Sequence, residues 1–181
     1  NATYLLGLPR SWAIVQNVDF PSAAKEDLSK VIEFELDRLT PLSRDNAYYD
    51  YVVLSEDAQI VKILLAVVRA DQINTYLDAL KTKNISVEKI TLSIFMIRSL
   101  IQNTYPRTNT VFLSLKDGDY EGGVIVNAFT TQSFAGRVDM HDQNAVDAMV
   151  RQVRALMDDL TKNSSPPRIV INADENHYDT L

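Results

Sequence analysis

The apolar positions change period several times along the chain. Over residues 28–39 they repeat at helical spacing. At about 100° per residue, Leu28, Val31, Ile32, Leu36 and Leu39 fall on one stripe, with Glu33 and Asp37 away from it. Glu35 falls inside the stripe. A carboxylate on a core-facing helix surface is costly unless paired. Its expected partners are Arg38, one turn on, and a tyrosine hydroxyl from the strand that follows. Pro41 disfavours helix at Thr40 and ends the run near Leu39. The chain then enters Asn46-Ala47-Tyr48-Tyr49-Asp50-Tyr51, an aromatic strand with Tyr49 and Tyr51 on one face and Tyr48 on the other.

The rest of the first half alternates between the two periods. Residues 3–8 and 12–20 read as strands, joined into a hairpin by the short Pro9-Arg10-Ser11 turn. Trp12, Ile14 and Gln16 share one side of the second strand, and Ala13, Val15 and Asn17 the other. Pro21 breaks that strand, and Ser22 is the expected N-cap of the helix, with Glu26 and Asp27 complementing its dipole. Beyond the tyrosines, Ser55-Glu56-Asp57-Ala58 is a hairpin turn. Residues 60–68 are apolar except for Lys62, the pattern of a strand covered on both faces. A helix over 71–81 has core positions Ile73, Tyr76, Leu77 and Leu80, and Asn84 can take the left-handed conformation that closes it. A strand at 87–92 and an apolar helix at 93–103 complete a subdomain over 3–104.

Residues 105–181 form a second subdomain. Strands at 111–115, 121–127 and 129–136 make a meander through the Lys116-Asp117-Gly118-Asp119 turn. The longest helix, 144–162, carries the stripe Val146, Met149, Val150, Val153, Met157 and Leu160, with Asp147, Arg151, Arg154 and Asp158 opposite. A strand at 168–172 follows the Ser164-Ser165-Pro166-Pro167 loop, and 173–181 show no period. The fold class is α/β with mixed, α+β-type sheets. A strand-helix-strand-strand unit precedes a βββαβ unit, the half-core of an RNase H-like or actin-like layer.

Composition narrows the function. The apolar share of 46 % supports a packed core. A net charge of −6 excludes a general nucleic-acid binder, which needs a basic face. Without cysteine there is no disulfide, thiolate metal site or cysteine nucleophile. No run reaches the length of a membrane span, and the opening residues do not read as a signal peptide. His141 and His177 lack metal-ligand spacing, and Asp139 and Asp142 around His141 read as a solvated helix N-terminus. Asp19, Asp50 and Glu121 are too few strand carboxylates for a two-metal nuclease. No nucleophile elbow or phosphate-binding Lys-Ser/Thr loop is present, so no catalytic or metal residue is assigned. The acidic helix and the tyrosine strand supply the candidate partner-binding residues: Glu35, Arg38, Tyr49 and Tyr51.

Leu8-Pro9-Arg10, the helix end Glu33-Phe34-Glu35-Leu36-Asp37-Arg38-Leu39-Thr40-Pro41 and then Tyr49-Asp50-Tyr51 resemble the cytoplasmic region of the GspL and PilM families. These are actin-like proteins of bacterial type II secretion and type IV pilus assembly. The element order resembles theirs over nearly the whole chain, and the motifs over residues 8–51. Residues 12–68 resemble the insert shared with the cell-division protein FtsA, and 111–172 resemble part of the second actin-like half.

The resemblance implies a non-catalytic scaffold at the cytoplasmic face of the bacterial inner membrane. Such a scaffold recruits the secretion or pilus-assembly ATPase and contacts other platform subunits. By the same resemblance, the first strands are expected before Asn1, and a final helix and membrane anchor after Leu181. Exposed sheet edge then predicts self-association, so a homodimer is a further expected partner.

Nucleotide-binding members carry Asp-x-Gly at the second half's first strand and Gly-Gly after its last. Here the residues are Thr108-Asn109-Thr110 and Asn172-Ala173-Asp174-Glu175, and Gly122-Gly123 lies inside the meander. No cofactor is therefore expected. ATP belongs to the alternative, a nucleotide-binding PilM-like protein, and an RNase H-like enzyme is the remote third reading.

Overall fold

The computed structural model describes residues 4–106, 108–161 and 166–173. The chain divides into two compact units, Asn1–Leu92 and Ser93–Leu181. The helix that the sequence boundary at 104 assigns to the first unit therefore groups with the second.

In the first unit, β1 (Tyr4–Leu8) pairs in parallel with β5 (Val87–Leu92), Leu8 opposite Leu92. The hairpin expected between residues 3–8 and 12–20 does not form. A short hairpin needs a positive φ, and none of Pro9, Arg10 and Ser11 has one. A 3-10 turn at Arg10–Trp12 intervenes instead. The following strand, β2 (Ala13–Pro21), joins β3 (Ala47–Glu56) and β4 (Ile60–Arg69) in an antiparallel sheet of order β2-β4-β3.

Helix α1 (Leu28–Leu39) covers one face of that sheet. Its Leu28, Ile32 and Leu36 are buried against Phe20, Val61, Ile63, Leu65 and Val67. Each such side chain contributes roughly 1.5–3 kcal/mol relative to exposure. The entry to α1 differs from expectation. Ser22 opens a 3-10 helix, Ser22–Asp27, rather than capping α1. Its hydroxyl donates to the Ala58 carbonyl at 2.8 Å and its amide to that of Gln59 at 2.9 Å. The β3–β4 turn thus competes successfully for the groups a cap would have used.

The opposite face of β4 buries Leu64 but leaves Ile60 and Lys62 exposed, so the expected two-sided cover is partial. Helix α2 (Ala70–Thr82) buries Ile73. Tyr76, expected in the core, is 48 % exposed and packs its ring on Trp12, centroids 4.8 Å apart. Asn84 takes the left-handed conformation at φ 56°, as its position after the helix predicts.

The second unit holds α3 (Ser93–Thr104), β6 (Thr110–Lys116), β7 (Asp119–Val126), β8 (Phe129–Arg137), α4 (Gln143–Thr161) and β9 (Arg168–Ala173). The sheet order is β8-β7-β6-β9, with the meander antiparallel and β9 parallel to β6. Asp117 and Gly118 supply the positive φ values, 52° and 80°, that the tight β6–β7 turn requires. Gly122 serves packing: a Cβ there would lie 2.3 Å from both the Phe112 carbonyl oxygen and the Phe134 ring. Val146 and Met149 seat α4 on Leu115, Val138 and Ala173. His177 and the aperiodic tail from Asp174 lie outside the described residues.

Candidate partner-binding surface

Helix α1 lies along its sheet with two flanks and a crest. One flank faces β2: Gln16 Nε2 donates to the Leu39 carbonyl at 2.9 Å. The other faces β3: the Tyr51 and Ser29 hydroxyls are hydrogen-bonded at 3.0 Å, and Tyr49 donates to the Ser29 carbonyl at 3.3 Å. On the helical wheel Glu33 and Glu35 stand about 200° apart, so they fall on opposite flanks.

This arrangement separates the four candidate residues. Glu35 is paired with Arg38 at 2.8 Å, as expected, with 24 % of its side chain exposed against 80 % for Arg38. The expected tyrosine partner of Glu35 is absent from that flank. Tyr49 and Tyr51 reach Ser29, two turns before Arg38, on the far side of the helix. Glu33, which the stripe leaves outside the core, is the carboxylate the tyrosines face. Burial is the main cause holding the Tyr49 hydroxyl above its ordinary pKa, followed by the charge of Glu33 and by Tyr51, while Arg44 pulls it down. Arg44 binds Glu33 at 3.0 Å and gives its backbone amide to Asp37 Oδ1 at 2.9 Å. The connection after Pro41 is thereby fastened to the β3 flank. Tyr48, on the opposite sheet face, donates to Asn74 of α2 at 3.0 Å.

The crest between the flanks carries a feature the apolar stripe passes over. Phe34 is 80 % exposed, flanked by Lys30 and Arg38. The signal was in the sequence: on the wheel Phe34 sits opposite Ile32, the centre of the buried stripe. Lys30 is held by Asp27 at 2.6 Å, so the charges around the ring are largely paired.

Among the described residues, no three His, Cys, Asp or Glu side chains group so as to hold an ion. Asp139 and Asp142 accept backbone amides of His141 and Asn144, the local role expected before a helix. Asp139 and His141 border an open depression of about 440 Å³ beside the β6–β7 turn, lined also by Asp117, Gly118, Arg137, Val138 and Met140. Glu121 accepts the Ser93 hydroxyl, and Asp19 faces Lys62 at 3.9 Å. No described helix is long and apolar enough to cross a membrane.

No protein-family model matches the chain. A curated relative, type II secretion system protein L of Xanthomonas campestris pv. campestris, is 39 % identical over 75 residues, covering 37 % of this chain and 20 % of the relative. The solved PilM-PilN type IV pilus biogenesis complex superposes with a TM-score of 0.74 at 10 % identity, over 94 % of this chain and 62 % of that one. The cytoplasmic domain of EpsL, an inner membrane component of the type II secretion system of Vibrio cholerae, superposes at 0.63 with 14 % identity, over 95 % of this chain and 62 % of that one. The chain thus spans a fifth of the curated relative and about three fifths of the two structures. Its fold is the mixed α/β, actin-like fold of these proteins, and it resembles the cytoplasmic region of the GspL and PilM types.

Proposed function

We propose that this chain is a non-catalytic scaffold of a bacterial type II secretion platform, working at the cytoplasmic face of the inner membrane. In this reading it recruits the assembly ATPase and contacts other platform subunits, using the α1–β3 region as one binding surface. The observation that carries the proposal is the 39 % identity to a type II secretion protein L. The side chains around α1 support a binding surface there: they are engaged in ion pairs and hydrogen bonds that fix it. Co-purification of the platform subunits with the tagged full-length protein from its own bacterium tests the reading. Recovery of the assembly ATPase is the expected result, and its consistent absence from an otherwise intact platform counts against it.

A second reading is a nucleotide-binding, PilM-like pilus assembly protein, favoured by the higher TM-score to PilM-PilN. Calorimetry with Mg-ATP on the intact cytoplasmic region separates the two. The scaffold reading expects no heat of binding, and micromolar binding would move the assignment to the PilM-like protein.

A further inference from the structure

The geometry points to the free edge of β9 as the seat of a second copy of this chain, joined strand to strand about a two-fold axis at Val170. This pairing stands whether or not the chain recruits an ATPase. A sheet edge with unpaired amides and carbonyls is a template for another strand, and proteins that do not use an edge blunt it. The β1–β5, β3–β4 and β7–β8 ladders each shift register, an irregularity that twists an edge away from pairing. Asp50 also takes the Tyr51 amide on β3 at 2.8 Å. The β2–β4 ladder is regular, but Arg10 donates to the Ala13 and Val15 carbonyls of β2. The β6–β9 ladder runs without a shift from Arg168 to Ala173. The Asn172 side chain is turned to Ser114 of β6, at 3.2 Å, and does not guard its own edge. Ile169 and Ile171 of β9 are 46 % and 43 % exposed.

The backbone sets the register of the pairing. The Arg168 amide donates to the Asn109 carbonyl at 2.8 Å. In a parallel ladder a residue turns both backbone groups to the same side. Arg168, Val170 and Asn172 therefore face β6, while Ile169 and Ile171 present theirs at the free edge. An antiparallel mate centred on Val170 sets Ile169 against Ile171 of the other copy, and Ile171 against its Ile169. These are the residues with free groups, so each pair exchanges both bonds.

The same register matches the side chains. The isoleucines of both copies meet on the sheet face where α4 packs on Leu115 and Ala173. On the other face Arg168 meets Asn172, and Val170 meets itself on the axis. No like charges oppose one another, as a two-fold interface requires. A slip by one residue would send the isoleucines to opposite faces. A strand of a different protein would satisfy the backbone alone; the match of this edge with itself, in bonds and side chains together, singles out a second copy. Helix α4 extends the match. It starts over Leu115 and Ala173 and returns the chain to the start of β9, with Val150 exposed and Val153 and Met157 partly so. A two-fold axis perpendicular to the sheet keeps both α4 helices on one face, where these apolar residues flank the isoleucines.

Sedimentation equilibrium of the full chain and of Ile171→Lys is the test. A dimer with a micromolar dissociation constant is expected, weakened about 30-fold by Ile171→Lys. The backbone of residue 171 takes no part in the β6 ladder, so the thermal midpoint in dilute solution should hold. A second measurement uses the absence of cysteine. Val170→Cys places one thiol from each copy on the axis, in a pair with Cα atoms about 4.5 Å apart, within reach of a disulfide. Mild oxidation should link the copies through Val170→Cys and leave Asn172→Cys unlinked.

A dimer that Ile171→Lys weakens and Val170→Cys links supports the inference. A dimer indifferent to Ile171→Lys, or one that Val170→Cys fails to link, puts the interface elsewhere and overturns it. A monomer at every concentration also overturns it, and hydrogen exchange at the Ile169 and Ile171 amides then tells an open edge from one covered by another stretch of the same polypeptide. Should Ile171→Lys fail to fold, the contrast between the two cysteine variants decides alone.

Discussion

Helices α1 and α4 each cover a sheet, yet they are seated to different depths. The shorter, α1, has 12 residues, and Leu28, Ile32 and Leu36 are all buried. It is also tethered on both flanks, through Gln16 on one side and Tyr49, Tyr51 and Arg44 on the other. The longer, α4, has 19 residues but buries only Val146 and Met149, both near its start. Its Val153, Met157 and Leu160 stay partly exposed, and Tyr120 donates to Gln152 at 3.0 Å midway along. A stripe in the sequence therefore says which face of a helix turns inward, not how firmly the helix is held. Anchorage comes from how much of the stripe finds cover and how many side chains fasten the flanks. By that measure α1 is the better platform for presenting a side chain to a partner.

Substitutions can break or sharpen this contrast. The largest effect is expected from Ile32→Ala, which opens a cavity under α1. Urea unfolding should show a loss of about 2–5 kcal/mol. Met157→Ala on α4 removes a partly exposed side chain and should cost about 1 kcal/mol or less, well below the full-burial range. A loss equal to that of Ile32→Ala would mean that α4 is as firmly seated as α1.

Gln16→Ala leaves the Leu39 carbonyl without its side-chain donor and should cost about 0.5–1.5 kcal/mol, read from the same unfolding curves. The smallest effect is in pH. The Tyr49 hydroxyl is held above its ordinary value of 10.0, so the folded state favours the neutral phenol. That contribution is complete below the ordinary tyrosine range and is lost as pH rises through it. Thermal midpoints should fall on that alkaline limb, and Tyr49→Phe should flatten the fall. At the acid end, Asp57 is held below 3.8 by the amides of Gln59 and Ile60. Its contribution is present at neutral pH and fades as pH drops below the ordinary carboxylate value. Asp57→Asn should remove that part of the acid dependence.

Much of the fold was legible because it is written in local period. The stripe of α1, its stop before Pro41, the β3–β4 hairpin and the β6–β7–β8 meander with α4 and β9 all follow from spacing and turn residues. What escaped was decided by distant partners. The segment at 3–8 looks like half of a hairpin, but its partner is β5, some 80 residues away. Ser22 has the chemistry of an N-cap, yet the β3–β4 turn takes its hydroxyl. Tyr76 falls on the helical core stripe but packs at the surface against Trp12, its ring tilted to the indole.

The candidate surface was legible in part. The Glu35–Arg38 pair follows from helical spacing alone. The tyrosines' destination does not, because it depends on which flank of α1 meets β3, and that depends on the strand order β2-β4-β3. Phe34 was visible as an apolar residue opposite the buried stripe. Only the depth to which Ile32 and Leu36 sink shows how fully it is displayed.

The central proposal is that this actin-like chain binds the assembly ATPase of a type II secretion platform. Calorimetric titration of that ATPase into the folded, intact cytoplasmic region, without nucleotide, tests it most directly. The account predicts saturable binding in the micromolar range or tighter. A flat titration with both proteins folded would contradict it.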